Sequence, residues 1–278
     1  MSKVLLEARS VTVRRGGRDR LSNASLALAP GEVIAVVGPN GAGKSTFVKA
    51  LAGELPLRQG SIEVMGRALD DWDPRELARV RGVLPQESSL SFPFTALEVV
   101  LLGRAPHIGR TNKQRDEEVA RAALAKVELE HAADRLYPTL SGGERQRIHL
   151  ARVLAQLWSD EPQQPRVLLL DEPVSNLDLA QQQRALEIAR EIASDGGAVI
   201  AVLHDLNLAA QHADRIAVVC RGEIIETGTP QQVLTQGLLR RAFGVEALIL
   251  PHPCGDCPLV VSMPNRNGRT TPELVQIR

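Results

Sequence analysis

Residues 32–46, Glu32-Val-Ile-Ala-Val-Val37 followed by Gly38-Pro39-Asn40-Gly41-Ala42-Gly43-Lys44-Ser45-Thr46, decide the fold. An uninterrupted apolar run ends at a glycine and residues 46–52 then take a helical pattern, so the junction reads as buried strand, loop and helix. The loop matches G-x-x-x-x-G-K-[ST] in the setting that gives this pattern its meaning. Its glycines let backbone N–H groups wrap a phosphate, and the helix N-terminus adds favourable partial charge. Lys44 would reach the β and γ oxygens of a nucleotide, and the Ser45 hydroxyl would ligate Mg²⁺. The bland alternative is a glycine-rich turn with no ligand.

Outward from this junction, Val167–Leu170 and Ala198–Leu203 read as two more buried strands, the second following a helix over Leu179–Ser194 and the turn Asp195-Gly196-Gly197. Strands apolar on both faces and alternating with helices predict a parallel sheet covered on both sides. Ile216–Cys220 and Glu223–Ile225, separated by Arg221-Gly222, form an expected hairpin. Between about 87 and 160 the pattern changes to helices over Thr95–Gly103, Lys113–Val127 and Glu144–Leu157, with no clear strand between them. The expected organisation is a core of residues 1–86 and 161–250, an inserted helical lobe at 87–160 and an extension at 251–278. Trp158–Pro165 reads as a surface loop and the polar stretch from Asn265 as weakly packed.

Composition narrows the function classes. The 278 residues carry 33 Lys+Arg against 33 Asp+Glu, a formal charge of zero, with 44% hydrophobic residues. Disordered and fibrous classes are excluded. Zero net charge and only two Trp, one Tyr and four Phe argue against bulk nucleic-acid binding by charge or base stacking. No apolar run approaches the roughly 18 residues of a membrane span, and Met1–Glu7 lacks the apolar stretch of a secretory signal, so a cytosolic location is expected. Cys220, Cys254 and Cys257 read as free thiols.

Two further constellations carry chemistry. Val167-Leu-Leu-Leu-Asp171-Glu172 ends a buried strand in two acids, where an unpartnered carboxylate is costly and a Mg²⁺ ion offsets that cost. Asp171 then suits the metal, while Glu172 points differently and can act as general base on water; two acids capping a turn is the other reading. Leu140-Ser141-Gly142-Gly143-Glu144-Arg-Gln-Arg147 opens a helix, so Ser141 and Gly143 lie where unpaired N–H groups can bind an anion.

Together, and in this order, the three motifs resemble those of ATP-binding-cassette (ABC) ATPases over about residues 3–250. The resemblance implies an α/β fold: a P-loop NTPase core with an inserted α-helical subdomain and a small antiparallel β element. It implies ATP and Mg²⁺ as ligands, with Ser45, Gln86 and Asp171 around the metal. Gln86 resembles the glutamine at the core-to-lobe junction, Ser175-Asn-Leu-Asp178 the loop at the dimer interface, and His204 the switch histidine that contacts the γ-phosphate. By the same resemblance two copies pair head to tail, each ATP lying between Lys44 of one and Ser141 of the other. Where many cassettes stack an aromatic residue on adenine, this chain has Arg15; a guanidinium can stack on a base, and a solvated surface arginine is the other reading. A P-loop GTPase would need N-K-x-D, which is absent, and a P-loop kinase has no use for Leu140–Arg147. A soluble ABC ATPase acting on ribosomes or DNA is the rival from another class.

Ser91-Phe-Pro-Phe-Thr-Ala-Leu-Glu-Val-Val-Leu-Leu-Gly-Arg-Ala-Pro-His107 resembles the lobe segment of cassettes that import iron-siderophores, cobalamin and heme. Phe92 and Phe94 either form part of a groove for a partner helix or belong to the lobe core. Residues 91–95, 158–165 and 177–181 look most like the hemin-importing members, with ferric-siderophore and cobalamin importers as the alternative. The implied partners are a second copy, a two-fold transmembrane permease and, through it, a periplasmic hemin-binding protein, with no nucleic acid. The implied location is peripheral, on the cytoplasmic face of the bacterial inner membrane. In His252-Pro-Cys254-Gly-Asp-Cys257-Pro258, a single C-x-x-C falls short of the four ligands of structural zinc, and an incidental or structural role is expected.

Overall fold

The computed structural model describes residues 4–86, 92–160 and 163–263. Strands β1 (Leu6–Arg15) and β2 (Arg18–Leu28) precede β3 (Val33–Val37) and helix α1 (Lys44–Leu51). Strands β4 (Gln59–Val64) and β5 (Arg67–Ala68), helix α2 (Pro74–Val80) and strand β6 (Arg81–Leu84) complete the first part. The next region is helical, with α3 (Ala96–Leu101), α4 (Lys113–Lys126) and α5 (Gly142–Gln156). Then come β7 (Val167–Asp171), α6 (Leu179–Ser194), β8 (Ala198–Val202), α7 (Leu206–His212), β9 (Arg215–Cys220) and β10 (Glu223–Gly228). Short helices α8 (Pro230–Val233) and α9 (Gln236–Phe243) lead to the hairpin β11 (Ala247–Pro251) and β12 (Pro258–Ser262).

The central sheet has the order β10-β9-β3-β8-β7-β6, parallel from β9 to β6 with β10 antiparallel at its edge. Every residue of β3, β7 and β8 is buried, as a sheet covered on both faces requires. Because side chains alternate along a strand, each apolar run feeds two cores. Val33, Ala35, Val37, Leu168 and Leu170 face the helices, while Ile34, Val36, Val167 and Leu169 face β1, β2 and α1. Phe47 of α1, fully buried, packs into the second core.

The antiparallel element is a four-stranded sheet of order β2-β1-β4-β5, whose first two strands run to 10 and 11 residues. Ser10 takes φ 50 at a register shift in β1 between Ala8 and Val11. The bulge interrupts the alternation that would have marked β1 in the sequence. The hairpin turn Arg15-Gly16-Gly17-Arg18 holds both glycines at positive φ, a turn that brings Arg15 opposite Arg18.

Among the described residues of 92–160 there is no strand. The helix expected over Thr95–Gly103 is shorter and changes character: α3 ends at Leu101 and a 3₁₀ segment, Leu102–His107, continues the chain. Pro106 has no N–H to extend an α-helix, and the backbone at Gly103 presses on α5. Phe92 and Phe94 divide the two readings between them: Phe92 is 68% exposed, whereas Phe94 packs on the core. Ser91, Glu161, Pro162 and the tail from Asn265 lie outside the described residues. The hairpin β11–β12 starts before residue 251 and is fastened to α7 by Asn207. That side chain accepts from the Val260 N–H at 2.7 Å and donates to its carbonyl at 3.1 Å.

Candidate functional site

The loop between β3 and α1 is shaped by close backbone contacts. A Cβ at Gly38 would stand 2.0 Å from the Val219 carbonyl oxygen, and one at Gly43, where φ is 110, would stand 2.9 Å from that of Arg20. No other residue fits either place, so the loop curls tightly at the C-terminal end of the sheet with α1 starting at Lys44. A cavity of about 1060 Å³ opens above it. Three groups line it: Arg15, Gly16 and Arg20 from the first hairpin, the loop from Asn40 through Gly41, Ala42, Gly43, Lys44 and Ser45 to Thr46, and the trio Gln86, Glu172 and His204. Strands β6, β7 and β8 are neighbours, which is why residues following their C-terminal ends meet here.

Lys44 is 5% exposed, and its Nζ donates to the carbonyls of Gly38 at 2.8 Å and Pro39 at 3.1 Å. Burial pushes its pKa down, and the carboxylates of Glu172 and Asp171 oppose that shift. The Ser45 hydroxyl donates to Asp171 Oδ1 at 3.1 Å. Asp171 is 1% exposed, and its other oxygen, Oδ2, is buried without a hydrogen-bond partner. Burial raises the Asp171 pKa, with the Ser45 hydrogen bond working against it. A buried carboxylate oxygen left unpaired beside a hydroxyl is a donor set that suits a hard divalent cation such as Mg²⁺, which takes few protein ligands and leaves the rest to phosphate and water.

Glu172 follows Asp171 directly but takes φ 57, a left-handed conformation that turns its side chain away from that of Asp171. Its Oε1 lies 2.7 Å from His204 Nε2. The Glu172 carbonyl accepts from the Ser175 hydroxyl at 3.0 Å and from Gln146 Nε2 of α5 at 3.4 Å, so the turn is held from both the core and the helical region.

Ser141, Gly142, Gly143 and Glu144 do not line this cavity. Ser141 is the N-cap of α5: its hydroxyl accepts from the Glu144 N–H at 3.2 Å, and the Glu144 carboxylate accepts from the Ser141 N–H at 2.7 Å. Helix geometry leaves the Gly142 and Gly143 N–H groups pointing out of that end. A Cβ at Gly143 would stand 3.0 Å from the Asn176 carbonyl oxygen, so this helix start packs against the turn leading to Asp178. Asp178 caps α6 by accepting from the Gln181 N–H at 2.9 Å, and its neighbour Leu179 is 81% exposed.

Arg15 lies in the exposed turn at the cavity mouth. Arg20, unremarked in the sequence, lines the same cavity from β2, and pairing across a hairpin is the only signal that would have placed it there. Cys254 is exposed and Cys257 half-buried, both as free thiols, and among the described residues no three His, Cys, Asp or Glu side chains group as a metal cage.

The chain's relationships match this geometry. The ABC transporter family pattern covers residues 21–175. Proteins named hemin import ATP-binding protein HmuV are similar over nearly the whole length. That of Gloeobacter violaceus is 52% identical over 93% of this chain and 94% of its own. That of Myxococcus xanthus is 53% identical over 92% and 96%. A metal-chelate type ABC transporter in an inward-facing conformation superposes with a TM-score of 0.78 at 28% identity, covering 94% of this chain and 98% of the other. The dimeric structure of a bacterial ABC transporter cassette gives a TM-score of 0.70 at 28% identity over 81% and 98%. A phosphate loop at the C-terminal end of a six-stranded sheet, paired acids at the end of β7 and a capped glycine helix start therefore have a shared origin with these proteins: the chain belongs to the ABC transporter family, as one of its ATP-binding cassettes.

Proposed function

We propose that this chain hydrolyses ATP to drive hemin import through a two-fold transmembrane permease fed by a periplasmic hemin-binding protein. The observation that carries the cargo is the identity of about half, over nearly full length, to proteins named for hemin import. Among the described residues no helix is long and apolar enough to cross a membrane; the place on the cytoplasmic face of the inner membrane follows from the importer reading, in which the permease supplies the membrane-spanning part. Residues 1–86 with 161–250 act as the nucleotide-binding core, 87–160 as the signature lobe and 251–278 as an extension.

In this reading Lys44 leaves the Gly38 and Pro39 carbonyls for the β and γ oxygens of ATP, a partner whose charge restores the full value of its own. Backbone N–H groups from Gly41 to Thr46 hold the β-phosphate, and Arg15 and Arg20 draw the anion into the cavity mouth. Ser45 and Asp171, with Gln86, would hold Mg²⁺, which when bound neutralises phosphate charge. Glu172 is the general base: its carboxylate takes a proton from the attacking water, while His204, 2.7 Å away, holds its orientation and faces the γ-phosphate. Ser141, Gly142, Gly143 and Glu144 serve the nucleotide of a second copy, with Asp178 at the interface. This is supported by the exposure of Ser141, Gly142 and Asp178 and by the absence of all five residues from the lining of this chain's own cavity.

The experiment is reconstitution in liposomes with the neighbouring permease and binding protein. ATP should drive hemin uptake, and Glu172→Gln should abolish it. Uptake of cobalamin or a ferric siderophore with hemin inert would overturn the cargo and leave the ATPase untouched. ATPase activity indifferent to the permease but stimulated by ribosomes or DNA would overturn the transport role.

A further inference from the structure

The Gly103–His107 turn is built into the C-terminal end of α5. A Cβ at Gly103 would stand 2.2 Å from the Arg152 carbonyl oxygen, so the turn's backbone lies directly on the last turn of that helix. Arg104, 5% exposed, donates from Nη1 to the Ala155 carbonyl at 2.6 Å and from Nε to Asp116 Oδ1 at 2.8 Å. Asp116 also accepts from the Thr111 hydroxyl at 2.8 Å. His107 Nε2 lies 2.9 Å from the Gln156 carbonyl, which can only accept, so Nε2 carries the proton. Burial lowers the His107 pKa, in keeping with a neutral ring that donates from Nε2.

A helix leaves its last carbonyls without intrahelical partners, and most are satisfied by water or a glycine turn. Here two of them take a buried arginine and a half-buried histidine. The chain of contacts continues: Gln156 Nε2 donates to the carbonyls of Ala78 at 2.7 Å and Arg81 at 3.1 Å, and Arg79 Nη1 donates to the Pro106 carbonyl at 3.0 Å. One end of α5 is thereby pinned to α2 and to the start of β6, the strand after which Gln86 enters the nucleotide cavity. Its other end is Ser141.

We propose that Arg104 and His107 are positioning residues for ATP hydrolysis. By fastening the C-terminal carbonyls of α5 to the 102–107 segment, whose Pro106 carbonyl Arg79 of α2 holds, they fix the pivot from which the helix carries Ser141 to a second copy's nucleotide. The proposal rests on the composite site described above. At 1.5 Å per residue, α5 is a lever of roughly 20 Å, so a loosened pivot that lets it swing by about 10° displaces its N-terminus by about 3–4 Å. Misplacement of about 1 Å is enough to cost on the order of 100-fold in rate. The pivot lies away from Lys44, so its loss affects turnover and leaves nucleotide affinity intact.

The test uses the full chain assembled with its permease. Measured are kcat and KM for ATP, the Kd for a fluorescent ATP analogue and the folded fraction. His107→Ala and Arg104→Met should lose tenfold or more in kcat, with Kd within about twofold of wild type. His107→Gln, whose side-chain amide can donate to the same carbonyl, should regain most of the rate. Unchanged kcat in His107→Ala would overturn the proposal, as would a loss that disappears after correction for folded protein or that His107→Gln fails to relieve. Should Arg104→Met not fold, the His107 pair decides. Failure of the composite site itself is seen separately, as a Ser141→Arg chain that turns over normally.

Discussion

Glu172 occupies a left-handed backbone conformation, φ 57, that costs a non-glycine residue about 1–3 kcal/mol, and hydrogen bonds from Ser175 and Gln146 to its carbonyl hold it there. The strain separates two adjacent carboxylates: Asp171 goes to Ser45 and Glu172 to His204. Glu172→Gln should therefore bind ATP and Mg²⁺ but turn over about 10²–10⁴ times more slowly, and near-normal steady-state hydrolysis would remove Glu172 from the role of base. Arg15 offers a second test at this scale. If its guanidinium stacks on adenine, Arg15→Ala raises the KM for ATP by a contact worth about 0.5–2 kcal/mol while Arg15→Tyr stays near wild type; an unchanged KM in the alanine variant would mark it as a solvated side chain.

At the scale of elements, α5 is capped at both ends by different means, a Ser141–Glu144 capping box at the start and the Arg104–His107 pin at the finish. Asp116 keeps Arg104 in place, and its pKa is lowered: burial alone would raise it, but the Arg104 and Thr111 hydrogen bonds and the Arg104 charge outweigh burial. Because the folded-state value is depressed, the stability from this group is fully present above the ordinary carboxyl value near 3.9 and is lost as pH falls through the folded one. Asp116→Asn should lower the unfolding free energy near neutrality by about 1–2 kcal/mol and flatten the acid limb of the stability curve. Urea melts from pH 3 to 7 check this, and a variant that keeps the wild-type slope in that range would assign the acid limb to other carboxyls.

For the whole molecule, the cavity over Lys44 and the helix start at Ser141 are different places on one chain, so in the proposed head-to-tail pair each copy would carry two halves of different sites. Mixing a Lys44→Ala chain with a Ser141→Arg chain should restore part of the activity that each lacks alone, because every heterodimer has one site with both defects and one with neither. Heterodimers that form yet hydrolyse no ATP would contradict composite sites, provided that a wild-type chain paired with either variant remains active. Leu179, 81% exposed beside Asp178, lies on the surface that such a pairing would cover.

The local sequence by itself determined β3, β7, β8 and the β9–β10 hairpin, the phosphate loop and the helix start at Ser141, because each is written in contiguous residues: an apolar run of strand length, a glycine spacing, a Ser before a helix; the short strand β6 carries no such run. Leu179–Ser194 begins and ends where its pattern predicts for that reason. Only the tertiary structure decided what depends on pairing distant segments. The extent of the four-stranded antiparallel sheet was hidden by the bulge at Ser10, and Arg20 reached the cavity through hairpin register. Arg104 and His107 stood in the sequence as a resemblance without a mechanism, since the carbonyls they hold lie 51 and 49 residues further along the chain. A periodic pattern records which face of an element is buried; it carries no record of which polar groups that burial brings together, and those are what the folded chain supplies.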